Sequence, residues 1–131
     1  MKRDVPLTIT SLLSLLLASL HMAEDVVRGF EPGGFQMVTA ILIMALWLYG
    51  TLALGDRRSG HVIILLGALL GCVIPLAHMR GAGMVGGRIV GSSGVLLWVW
   101  TLFAVGATSL VSLVLSAQGL WRLRKRSGGG A

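Results

Sequence analysis

Charge is what this chain has least of. Only 12% of its 131 residues are Asp, Glu, Lys or Arg, while 55% are hydrophobic and mean hydropathy is +0.86. A soluble domain carries about 25% charged residues, so this composition leaves too little polar surface to face water. Cysteine is nearly absent. Cys72 stands alone in an apolar run, which excludes an intrachain disulfide and leaves the redox compartment unread. Catalytic signatures are missing as well: no G-x-S-x-G, P-loop, dinucleotide fingerprint or H-E-x-x-H occurs in a suitable context. The expectation is that the protein is not an enzyme.

What the chain does have is four long apolar runs, about Pro6–Ala23, Phe35–Leu54, Val62–Met79 and Val95–Leu120. Each approaches the ~20 residues that carry a helix across ~30 Å of hydrocarbon. Backbone groups in lipid must satisfy their own hydrogen bonds, and the alternation of barrel strands is absent. The reading is an all-α membrane protein with transmembrane helices over about 6–27, 35–54, 61–79 and 94–121. Residues 1–121 form a single domain, and 122–131 a basic, partly disordered cytoplasmic tail.

The net charge of +6 invites a nucleic-acid partner. However, the basic residues flank apolar runs instead of clustering on a folded surface, so no nucleic acid is expected. With the N-terminus inside, Lys2, Arg3, Arg57, Arg58, Arg122, Arg124, Lys125 and Arg126 are cytoplasmic, while only Arg28, Arg80 and Arg88 are outside. The positive-inside rule therefore predicts both termini in the cytoplasm and a multi-pass inner (plasma) membrane protein. Met1–Arg3 and Leu7–Leu20 also have the basic and apolar parts of a secretory signal. The cleavage region is poor, because His21 sits at the −3 position from Ala23.

The links are short and glycine-rich: Arg28–Gly34, Gly55–Gly60 and Gly81–Gly94, the last able to lay Ile89 and Val90 against lipid. Short links make neighbouring helices antiparallel, giving an up-down-up-down bundle. Small and polar residues mark the faces expected to meet. The first run carries Thr10, Ser14, His21, Asp25 and Arg28; the third Gly60, Gly67, Gly71, Pro75 and His78; the fourth Thr101, Thr108, Ser112, Ser116 and Gly119. Trp98, Trp100 and Trp121 read as interfacial anchors, and Trp47 as a packing residue. The segment Leu16–Met22 resembles Val73–Met79, as a duplicated helical hairpin would produce.

His21, Glu24, Asp25 and Arg28 crowd the end of the first run. Relative to His21 they fall at about −60°, +40° and −20° on a helix, within an arc of roughly 100°. His21 and His78 lie ~21 and ~24 Å from the cytoplasmic boundary, nearly the same depth, so their imidazoles can approach one another. Three chemistries suit this set. In the first, Arg28 neutralises Glu24 and Asp25 as a structural ion pair. In the second, His21 and His78 bind a haem, or His21, Glu24, Asp25 and His78 hold a transition metal. In the third, Glu24 or Asp25 carries a proton or cation across the membrane with His21 as relay. Met22, Met79 and Met84 lie near the same level and suit copper(I), but read as ordinary packing residues. The leading expectation is a small integral membrane protein that sits in the lipid bilayer and serves a larger membrane assembly, or self-associates. A haem- or metal-binding electron carrier and a small coupled transporter are the alternatives.

Overall fold

The computed structural model describes residues 4–30, 33–78 and 93–128, with side chains through Lys125. The described residues form helices α1 (Val5–Val27), α2 (Phe35–Leu52), α3 (Arg58–His78) and α4 (Val95–Gly128), with no strand among them. All four are long and apolar enough to cross a membrane. Arg80, Arg88, Met79, Met84, Glu31 and most of the Gly81–Gly94 link lie outside the described residues.

Local chemistry sets the ends of α1. Asp4 caps the first turn by accepting from the Leu7 N–H at 3.3 Å, and Pro6 occupies an early position where its missing N–H costs nothing. At the other end Gly29 takes φ 71°. The Phe30 N–H then bonds the Asp25 carbonyl at 2.8 Å and the Gly29 N–H bonds Val26 at 3.0 Å, a Schellman closure. Phe30 thereby folds back onto Trp98 of α4. The chain turn thus pins the end of α1, where Asp25 sits, against α4.

The buried faces follow a period of 3.5. On α1 the buried set includes Leu7, Ser11, Ser14, Ala18, His21 and Asp25, and on α4 Trp98, Leu102, Val105, Ser109, Ser112, Ser116 and Gly119. Both series step by alternating fours and threes, the spacing of a left-handed seam between helices. This explains one difference from the expected stripes. Ser109 takes the inward place on α4, and Thr108 turns aside to bond the carbonyls of Ala104 and Val105.

Helix α4 packs most extensively against α3 and then α1, while α2 rests on α3 and more lightly on α1. Glycines bring the backbones together. A Cβ at Gly67 would overlap the Trp47 indole, one at Gly119 the His61 ring, and one at Gly60 the Leu54 carbonyl. Pro75, inside α3, lacks the N–H of a normal turn and sets its ring against Gly106 of α4. Helix α2 is the least enclosed, with only Trp47, Gly50 and Thr51 buried. Helix α4 continues through Arg122–Lys125 past the expected boundary, and the Lys125 ammonium lies 4.0 Å from the Trp121 ring.

Candidate metal centre

Three helices deliver one side-chain cluster. α1 supplies His21 and Asp25 one turn apart, α3 supplies His78 from its last turn, and α4 supplies Trp98 and Thr101. His21 is 3% exposed and Asp25 7%. The Asp25 Oδ2 lies 3.6 Å from His21 Nε2 and 3.4 Å from His78 Nε2. The two imidazoles meet edge to face with centroids 5.0 Å apart, and Trp98 stacks 5.2 Å from His21 and 5.4 Å from His78.

The surrounding hydrogen bonds decide where the protons are. His78 Nδ1 lies 2.9 Å from the Ile74 carbonyl, which can only accept, so Nδ1 carries hydrogen. Thr101 Oγ1 lies 3.0 Å from both Glu24 Oε2 and the Trp98 carbonyl, two more pure acceptors. Its single proton is therefore directed to them, and His21 Nδ1, 3.1 Å away, donates to the Thr101 oxygen. Trp98 Nε1 donates to Asp25 Oδ1 at 2.7 Å. Both Nε2 atoms thus turn toward the same carboxylate oxygen, and each presents a lone pair there when its ring is neutral. His21 Nε2 is buried and has no hydrogen-bond partner.

Two imidazole nitrogens and a carboxylate oxygen facing one another in an apolar bundle call for a positive charge among them, supplied either by a proton on one Nε2 or by a metal ion. The ligand atoms of His21, Asp25 and His78 all lie within 4.8 Å of one another. Tetrahedral bonds of 2.0–2.1 Å put neighbouring donor atoms about 3.4 Å apart; the two Asp25–His distances of 3.4 and 3.6 Å are close to this, and the wider spread of the full set closes by side-chain adjustment when an ion binds. The outward-facing atoms are tied as metal-bound histidines usually are, through the remaining ring N–H to a carbonyl or to a hydroxyl backed by a carboxylate. Beside the centre lies a cavity of about 270 Å³, lined by Met22, Met44, Trp47 and Ile74 as well as the two histidines.

The expected site residues therefore separate. His21, Asp25 and His78 come together, whereas Glu24 is half-buried, bonds Thr101 and is not among the three converging ligands. Asp25 faces the two histidines, and Arg28 donates to the Ser93 carbonyl at 3.0 Å. Beyond the expected Glu24–Asp25–Arg28 grouping, the cluster therefore also engages α3 through His78 and the start of α4 through Ser93. A haem held between His21 and His78 does not fit, because imidazoles in direct contact, aimed at one carboxylate oxygen, leave no space for a porphyrin plane. Trp98, read as an interfacial anchor, is 1% exposed and serves Asp25 instead. Its place in the 98–102–105 spacing is the signal that marks it as inward-facing. Sequence reasoning also passed over His61, which is buried on Gly119 near the opposite end of the bundle. Comparison with known proteins finds no matching family model, no similar curated protein and no matching solved structure. Fold and site define a helical protein of the membrane class with a His–Asp–His centre.

Proposed function

We propose that this is a four-span integral membrane protein whose His21, Asp25 and His78 bind a divalent transition-metal ion, with zinc(II) as the simplest probe. The observation that carries the reading is the convergence of two imidazole Nε2 atoms and one carboxylate oxygen on residues whose other polar atoms are already engaged. Three protein ligands beside a cavity leave a fourth position for water or a partner's ligand. The helices run up-down-up-down with both termini cytoplasmic, in keeping with the basic residues of the Gly55–Gly60 link and α4 end. The metal centre then lies toward the outer face. No catalytic motif accompanies it, so the bundle serves a larger membrane assembly as a metal-holding subunit.

The test is zinc stoichiometry in the detergent-purified protein after equilibrium dialysis, measured by elemental analysis. One ion per chain is expected, falling to background in His21→Ala, His78→Ala and Asp25→Asn. Equal binding by the wild type and these variants would remove the reading.

A further inference from the structure

A second cavity, of about 360 Å³, opens between α1 and α4 and is lined by none of His21, Asp25 and His78, though it shares Glu24 and Thr101 with the support of His21. Its walls are Leu20, Ala23, Val27 and Leu97, all of them exposed, so it opens sideways where the membrane reading places lipid. Glu24, Arg28, Ser93 and Thr101 supply its polar lining. We propose that this groove binds a phospholipid with a primary-ammonium, zwitterionic headgroup, of the phosphatidylethanolamine class.

Charge complementarity selects that occupant. Glu24 and Arg28 stand one turn apart on α1, about 6 Å along the axis, a spacing that a two-carbon ammonium–phosphate link can span. Only Glu24 Oε2 is engaged, by Thr101, which leaves Oε1 to accept from an ammonium group. The Arg28 guanidinium reaches across to the start of α4, where NH2 bonds the Ser93 carbonyl and lies near Gly94. A phosphodiester placed there meets both the guanidinium and the positive end of the α4 dipole. The apolar walls run alongside for an acyl chain. At about 1.5 Å per residue, Glu24 and Arg28 lie roughly 29 and 35 Å from Val5, at the headgroup boundary of one leaflet. An anionic lipid such as phosphatidylglycerol would meet the Arg28 guanidinium but bring no ammonium group to the Glu24 carboxylate. A choline headgroup has no N–H to offer it.

Native mass spectrometry of the purified full chain with added phosphatidylethanolamine, phosphatidylcholine or phosphatidylglycerol tests the site. Ethanolamine lipid should bind about tenfold more tightly than the other two, the effect of one charge-assisted hydrogen bond. Glu24→Gln should erase that preference, and Arg28→Gln should weaken all three lipids. Ala23→Phe, which fills the wall without touching either charge, should also abolish the preference. Phosphatidylglycerol binding as tightly as the ethanolamine lipid would overturn the proposal. So would a preference that survives Glu24→Gln or Ala23→Phe in protein of unchanged helix content. Displacement of the lipid by equimolar free phosphoethanolamine would show a site for a soluble headgroup compound instead, and the proposal fails. Zinc stoichiometry read on the same samples separates failure of this site from failure of the metal reading.

Discussion

Two buried polar clusters sit in this bundle, and they solve the same problem in opposite ways. Toward the α2–α3 turn, Trp47 Nε1 donates to Ser11 Oγ at 2.8 Å, and Ser11 lies 2.7 Å from Thr51 Oγ1. Thr51 in turn donates to the Trp47 carbonyl at 2.9 Å. Every hydroxyl and indole proton in that ring has an acceptor, so nothing remains for a ligand. At the other end, His78 Nδ1 and Thr101 donate away from the centre and Trp98 donates to Asp25 Oδ1, while both Nε2 atoms and Asp25 Oδ2 are left facing one another. A closed hydrogen-bond circuit locks helices together. An open one of this kind suits the metal site proposed above.

Four substitutions sharpen that contrast, in decreasing order of effect. Asp25→Asn removes the anionic ligand and should weaken zinc affinity by at least about 100-fold, more than is usual for the partners that orient ligands. A competition titration against a chromogenic chelator measures it. Gly60→Ala drives a methyl group into the Leu54 carbonyl. It should destabilise the α2–α3 hairpin by about 1–3 kcal/mol in a detergent unfolding assay. Thr101→Val deletes the hydroxyl that orients His21 and should cost roughly 10-fold in zinc affinity with little change in stability. Ser11→Ala opens the closed ring and should lower stability by only about 0.6–1.7 kcal/mol, leaving zinc affinity unchanged. If Ser11→Ala reduced zinc binding as much as Thr101→Val, the two clusters would have to be treated as one network.

The centre was partly legible in the sequence. Equal depth of His21 and His78 along two apolar runs predicts their meeting, because helix rise converts position directly into height. Helical periodicity likewise groups His21 with Asp25. Which acid turns inward was beyond that argument, since Glu24 and Asp25 are neighbours within a single arc of the helix. The seam spacing of 3.5 settles it: Asp25 continues the Leu7, Ser11, Ser14, Ala18, His21 series, and Glu24 falls outside it toward the α1–α4 groove. The inward positions of Trp98 and Ser109 are read by the same spacing and missed by the straight-helix one.

The sequence by itself determined the helices and their apolar character, because hydrophobicity and helical hydrogen bonding are local properties that twenty consecutive residues carry unaided. It also determined where polar residues concentrate, at His21–Arg28. The tertiary structure alone decided the hydrogen-bond pattern around the two histidines. Ile74 and Thr101 come from α3 and α4, and only their positions against the two imidazoles tie up each Nδ1 and turn each Nε2 toward Asp25. A lone pair becomes a ligand only when its partners' geometry is known, and that geometry is set between helices.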